Sequence, residues 1–169
     1  ITAKPVIYVC NVDENSVNKG NNHVDKIKDL ISNENAEILI LGAAIEADIA
    51  ELTDFEERKM FLDDLELDEP GVSKLIKKAY SLLNLQTYFT AGVKEVRAWT
   101  VKIGATAPEG AGVIHTDFEK GFIKAEVISY QDYIDLSGEQ KAKEAGKLRL
   151  EGKDYVLQDG DVVHFRFNV

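Results

Sequence analysis

Pro5-Val6-Ile7-Tyr8-Val9-Cys10, closed by Asn11, and Ile38-Leu39-Ile40-Leu41, closed by Gly42, are two continuous apolar runs rich in β-branched residues. Neither alternates apolar with polar, so each reads as a strand of a parallel sheet covered by helices on both faces. Between them a polar linker over residues 15–22 leads into Val24, Ile27, Leu30 and Ile31 at helical spacing, the pattern of an amphipathic helix. Strand, helix, strand in that order is a βαβ unit with a right-handed crossover. Three more helices follow. Ile45, Ile49 and Leu52 mark the first. Thr53 with Glu56 supplies a capping box for the second, which runs through Arg58, Phe61, Leu62 and Leu65. Pro70-Gly71 punctuates the chain, and Leu75, Ile76, Ala79, Leu82 and Leu83 form the apolar side of the third.

From Leu85 onward the texture changes. Residues 96–103 alternate and end at Gly104, which suits an antiparallel strand with one wet face. Residues 122–130 read the same way, and residues 148–150, 155–157 and 162–167 read as three short strands with turns at Gly152 and Asp159-Gly160-Asp161. Short helices are expected over residues 111–118 and 139–145. Strands with helices on one face make an α+β layer, and the boundary between the two textures falls at residues 84–86.

Composition agrees with a globular chain. The 169 residues are 44% hydrophobic and 30% charged, with a net charge of −10. The charge is uneven: residues 1–84 hold 9 Lys and Arg against 17 Asp and Glu, a net of −8, and residues 85–169 hold 11 against 13, a net of −2. That balance argues against a general nucleic-acid binder. It leaves room for a local basic strip of Lys94, Arg97, Lys102, Lys120 and Lys124 in the second half, although spacing does not show that they share a face. One cysteine allows no disulfide framework. No apolar run reaches the ~18 residues of a membrane span, and residues 1–9 lack the features of a signal peptide. No membrane partner is expected, and a cytoplasmic location is the default.

Candidate chemistry is sparse. Asn11-Val12-Asp13-Glu14 stands at the carboxyl end of the first strand and Gly42-Ala43-Ala44 at the end of the second, where open α/β sheets bind ligands. An amide and a carboxylate three residues apart suit the donor and acceptor edges of a base, and they equally suit a turn; spacing alone leaves both readings open. His23, His115 and His164 lack metal-ligand companions in sequence, and His164 reads as a strand residue at or near the surface. Cys10 reads as a packed thiol and Trp99 as core. No GxxxxGK[ST] occurs, and Gly104 to Gly110 carry no lysine, so no phosphate-cradling loop is encoded here.

Three further stretches carry a resemblance. They are Leu82-Leu83-Asn84-Leu85-Gln86-Thr87-Tyr88-Phe89-Thr90-Ala91-Gly92, Gly112-Val113-Ile114-His115-Thr116-Asp117-Phe118-Glu119-Lys120-Gly121-Phe122-Ile123, and the ending Gly160-Asp161-Val162-Val163-His164-Phe165-Arg166-Phe167-Asn168-Val169. Together with Gly146-Lys147-Leu148-Arg149-Leu150-Glu151-Gly152-Lys153-Asp154-Tyr155-Val156, they resemble the YchF family of Obg-related P-loop NTPases. The resemblance covers essentially the whole chain. It implies that residues 1–84 are the carboxyl-terminal part of an Obg-type nucleotide-binding domain, an α/β remnant of a P-loop NTPase. Residues 85–169 would be a TGS domain, an α+β module of the β-grasp, ubiquitin-like kind.

The resemblance also implies a longer parent protein, monomeric and ribosome-associated, that binds and hydrolyses ATP and uses GTP less well. Its P-loop and the Mg2+ it holds would come from upstream residues, so this chain would offer no Mg2+ ligand and no catalysis of its own. Asn11, Val12 and Glu14 would occupy the base-recognition position, which in most relatives reads Asn-Lys-x-Asp. Glu14 in place of aspartate is longer by one methylene, and this disturbs the two-bond grip on guanine and permits adenine. Gly42, Ala43 and Ala44 would match the loop whose backbone N–H groups complete the base site. The alternative implied function is a stand-alone TGS adaptor that binds RNA or protein at the ribosome without catalysis.

Overall fold

The computed structural model describes residues 4–34 and 36–168. Residues 1–3, part of the amino terminus read above, and Val169, last of the quoted ending, lie outside the described residues. The chain divides into two compact units, Ile1–Leu83 and Asn84–Val169. Asn84 has φ 52 directly after the helix that ends the first unit. This is the left-handed position that commonly stops a helix, and asparagine tolerates it better than most residues.

In the first unit β1 (Ile7–Asn11) pairs parallel with β2 (Glu37–Leu41), in register from Ile7↔Glu37 to Asn11↔Leu41. A 3-10 turn (Glu14–Ser16) and α1 (Asn22–Leu30) make the crossover. The Asn21 side chain starts α1 by accepting hydrogen bonds from the N–H groups of His23 and Val24 at 3.0 and 3.2 Å. Three helices follow: α2 (Ala43–Glu51), α3 (Phe55–Asp64) and α4 (Gly71–Leu82). Ile45 and Ile49 of α2 pack with Leu62, Leu67 and Val17 in a small buried cluster.

Three sequence expectations are corrected in this unit. The strands are covered on both faces only in part: Cys10 and Leu39, which the register places on opposite faces, are buried, but Val9 in β1 and Val6 just before it are 47% and 44% exposed. A two-stranded sheet with this set of helices has too little covering surface for apolar residues on both sides. Leu30 is 79% exposed, because it lies off the α1 stripe that buries Val24 and Ile31. The cap of α3 is Asp54, not Thr53; its carboxylate accepts from the N–H groups of Glu56 and Glu57 at 2.9 and 3.0 Å.

A carboxylate from another helix caps α4. Glu46 of α2 accepts from the N–H of Gly71 at 2.7 Å and from that of Val72 at 3.1 Å, so it satisfies two of the free donors of the first turn and complements the helix dipole. Removing this cap in Glu46→Ala is expected to lower the unfolding free energy by about 1–2 kcal/mol, read as an earlier midpoint in urea denaturation. An unchanged midpoint would show that water replaces the carboxylate at no cost.

The second unit is a five-stranded mixed sheet of order β4-β3-β7-β5-β6. Its strands are β3 (Leu85–Ala91), β4 (Val96–Lys102), β5 (Phe122–Ser129), β6 (Arg149–Glu151) and β7 (Asp161–Phe167). All neighbours are antiparallel except β3 and β7, which pair parallel at Phe89↔Val162. Tyr88, Val101, Ala125, Val127, Val163 and Phe165 project from one face onto Ala107 and Ala111 of α5 (Ala107–Ile114). The fully buried Tyr88 donates its hydroxyl hydrogen bond to the Gly110 carbonyl at 2.8 Å.

The differences here have local causes. Residues 85–91, quoted above only for their resemblance, form β3. The helix expected over 111–118 begins at Ala107, where Thr106 and Glu109 make a capping box, and it breaks at His115 before α6 (Thr116–Lys120). A further helix, α7 (Tyr130–Asp135), follows β5 and precedes α8 (Glu139–Glu144). Residues 155–157 are not a strand. They touch residues 105–107 through Ala107 N–H to Tyr155 O at 2.8 Å and Leu157 N–H to Ala105 O at 3.0 Å, a single bridge at Thr106↔Val156.

Candidate functional site

Asn11 ends β1 and Gly42 follows β2, so the parallel pairing brings both to the same end of the sheet. The Asn11 side-chain oxygen accepts the Ala43 N–H at 2.9 Å. Beside it, the Val12 N–H donates to the Leu41 carbonyl at 2.9 Å. Gly42 lies close beneath: a Cβ there would stand 3.3 Å from the Val12 carbonyl oxygen and 3.1 Å from Ile45 Cδ1. Asn11, Val12, Gly42 and Ala43 are thus one connected group.

Gly42-Ala43-Ala44 is a helix start rather than a free loop. Gly42 is the N-cap of α2, with extended φ of −111, and Ala43 and Ala44 are its first residues. Glycine has no side chain with which to cap the helix, and the Asn11 amide does so from across the sheet. The Asn11 oxygen is thereby held in place while its NH2 group points to solvent-accessible surroundings, since Asn11, Ala43 and Ala44 are all exposed.

Asp13 and Glu14 differ in what they do. The Asp13 carboxylate is engaged locally, accepting the Ser16 N–H at 3.1 Å and starting the 3-10 turn. Glu14, the first residue of that turn, is exposed. Its side chain has no hydrogen-bond partner among the described residues. Glu14 also lies on the rim of a polar cleft of about 290 Å³ that includes Asn18, Asp64 and Glu66. No hydrogen bond links Glu14 or Ala44 to Asn11 among the described residues. Of the six sequence-derived candidates, four are held together by these contacts, and Glu14 and Ala44 stand free beside them.

The remaining candidates resolve as follows. Cys10 is buried. Arg97 and Lys102 are five residues apart on β4, so they face opposite sides of the sheet, and the five cations do not form a strip on one face. The Trp99 ring is half-buried: its N–H donates to Thr90 Oγ1 at 2.9 Å and the Arg97 guanidinium stacks 4.1 Å above it. A cleft of about 370 Å³ opens beside the β3–β4 turn, with Val93, Ile114, Phe118, Phe165 and Phe167 among its lining. Sequence patterning does not reveal it, because its walls come from four separated segments.

Known proteins match both the second unit alone and the chain as a whole. A family model named YchF-GTPase_C, described as "Protein of unknown function (DUF933)", matches residues 85–168. Over all 169 residues the chain is 60% identical to a protein of Haemophilus influenzae named ribosome-binding ATPase YchF. It is 57% identical to the Bacillus subtilis protein of the same name, over 171 aligned residues. In both cases it spans 46% of the relative's length. The solved YchF GTPase of Schizosaccharomyces pombe superposes with a TM-score of 0.83 at 39% identity, covering 98% of this chain and 44% of that one.

Proposed function

The chain belongs to the YchF family, and on that premise we propose that its first unit supplies the base-binding face of a nucleotide site that prefers ATP and takes GTP less well. The observation that carries this reading is the Asn11–Ala43 bond at 2.9 Å. It holds an exposed amide at the carboxyl end of two parallel strands, where α/β sheets bind ligands. The residues fit a purine. The Asn11 NH2 is a donor for a ring nitrogen, Ala43 and Ala44 lie exposed beside it with only methyl side chains, and Glu14 offers an acceptor. Glutamate at that position sets its carboxylate at a different depth from an aspartate. A two-bond grip on guanine loses its geometry, and with it most of the discrimination in guanine's favour.

These residues provide orientation and base recognition only. ATP brings its own phosphates, and in this reading the Mg2+ that accompanies them takes no ligand from these residues. Hydrolysis in the parent protein rests on phosphate positioning that this chain does not encode. Residues 85–169 are, in this proposal, a TGS domain of β-grasp layout, and the mixed sheet with α5 across one face supports it. The names of the bacterial relatives support a ribosomal partner, and hence a cytoplasmic site of action.

Asn11→Asp is the discriminating variant, because it keeps the oxygen that caps Ala43 and removes the N–H donor. Titration of the chain with a fluorescent ATP analogue is expected to show binding that weakens about tenfold in Asn11→Asp, the worth of one lost hydrogen bond. Wild-type and variant should both release no phosphate from ATP. Equal affinities would remove Asn11 from the site, and turnover above that of the variant would refute the assignment of catalysis to residues elsewhere.

The adaptor reading has its own support in the apolar cleft beside Phe118 and Phe167 and in the opposed Arg97 and Lys102. Both features suit a protein partner better than RNA. Binding to ribosomes that is insensitive to salt would favour it, whereas a steep salt dependence marks phosphate contacts.

A further inference from the structure

We propose that Glu126, Glu139 and His164 form a site for one divalent transition-metal ion of the zinc type. Glu126 on β5 and His164 on β7 are direct register partners, so their side chains share a face and their Cβ atoms are held about 5 Å apart by the sheet. Glu139 is the first residue of α8. It reaches the pair because Gly138 turns the chain there at φ +119, a backbone conformation that favours glycine. The nearest ligand atoms of the three side chains all lie within 4.8 Å of one another. Three elements distant in sequence therefore converge on one point.

The space at that point is small. A niche of about 10 Å³ is bounded by these three residues together with Ile128, Tyr133 and Leu148, roughly the room of a single water-sized sphere. That admits an ion and excludes an organic ligand. Zinc bonds to nitrogen and oxygen run about 2.0–2.2 Å, which requires the donor atoms to draw together by about half an ångström or more. Glu139 and His164 are exposed, and neither side chain has a hydrogen-bond or ion-pair partner among the described residues, so both can move. One imidazole nitrogen with two carboxylates is a mixed donor set. It suits Zn2+, Co2+ or Ni2+ better than Ca2+, which takes oxygen alone, or Cu+, which takes sulfur.

The resident competitor is Arg166, whose guanidinium donates to Glu126 Oε2 at 3.0 Å. It leaves Oε1 available and lowers the charge seen by the ion, so the site is weaker than a closed structural zinc centre. Lys124 also acts electrostatically on Glu126, and Glu139 on Arg166.

The test is titration of the whole chain with ZnCl2 and CoCl2, followed by calorimetry and by amide NMR. One equivalent is expected to bind, with Co2+ broadening the signals around residues 126, 139 and 164. Glu139→Gln and His164→Asn should each weaken binding by about tenfold or more, while His23→Asn and His115→Asn leave it unchanged. Unchanged melting temperatures of the metal-free variants would show that these exposed changes leave the fold intact. Absence of saturable binding, or binding that survives His164→Asn, would overturn the proposal and leave the cluster as an ion-pair group around Arg166.

Discussion

Gly121→Ala is expected to lose about 3 kcal/mol or more of stability in the second unit, a large share of the 5–15 kcal/mol typical of a domain. The reason is steric and not conformational, since Gly121 has an ordinary φ of −87. A Cβ placed there would stand 2.0 Å from the carbonyl oxygen of Asn168 and 2.9 Å from its carbon. That neighbour is backbone and cannot rotate away. The Asn168 N–H donates to the Gly121 carbonyl at 2.9 Å, so relief of the clash breaks that bond and lifts the chain just past β7. Phe167, one residue earlier, stacks on Phe118 with ring centroids 3.8 Å apart, so the displacement reaches into the aromatic layer. Urea denaturation followed through Trp99 fluorescence reads the loss. Gly152→Ala is the control, since a Cβ there meets nothing within 4 Å, and its midpoint should move little. If both variants denature with the wild type, Gly121 is not a close-approach position.

Tyr88→Ala should cost about 3–5 kcal/mol, the range for removing a large buried side chain. Tyr88 is fully buried, stands edge-on to Phe165 with centroids 5.8 Å apart, and bonds the Gly110 carbonyl. Tyr88→Phe keeps the ring and loses only the hydroxyl bond, for about 1 kcal/mol. The two variants therefore separate packing from hydrogen bonding at one position.

The same residue carries a pH dependence. Burial raises the Tyr88 phenol well above its ordinary value. Tyr155 is pushed up to about 12, first by burial and then by its hydrogen bond to Asp161. In the unfolded chain both ionise near ~10. Because the folded values lie higher, their contribution to stability is complete below pH ~10 and is lost as pH climbs toward the folded values. The denaturation midpoint should fall from about pH 10 upward, and the fall should be shallower in Tyr88→Phe. A Tyr88→Phe profile that coincides with wild type would assign the alkaline loss to other groups.

Residue type and spacing made much of this architecture legible. Val6 to Cys10 and Ile38 to Leu41 announced parallel strands because an uninterrupted β-branched run has few other stable uses. Pro70-Gly71 marked a break before a helix through backbone restriction, an effect that acts within a few residues, whereas Asn21 read only as part of a polar linker and its capping of α1 came from the structure. Leu30 and the Thr53 cap went astray for the opposite reason. An apolar side chain at the margin of a helical stripe is buried only if another element covers it, and either of two adjacent capping residues satisfies the same N–H groups until the approach of the chain selects one. Residues 155–157 look like a strand, but their backbone partners at residues 105–107 form only a bridge.

At the candidate site, sequence and resemblance singled out Asn11, Val12, Glu14 and Gly42 to Ala44. That the Asn11 oxygen caps α2 follows from the register of β1 against β2, while Asp13 is spent on its own local turn and Glu14 is left free beside it. The gathering of Glu126, Glu139 and His164 was likewise invisible, because nothing in the order of the chain says that residues 126 and 164 stand opposite each other.

What the sequence determined alone is the inventory and the local geometry: which segments extend or coil, where they stop, how charge divides between the halves, and which family the chain resembles. The tertiary structure decided which exposed polar groups meet. Secondary structure is governed by interactions among residues a few positions apart, whose spacing can be read directly. A site assembled from several strands and helix starts depends on long-range register, which is set only when the core packs.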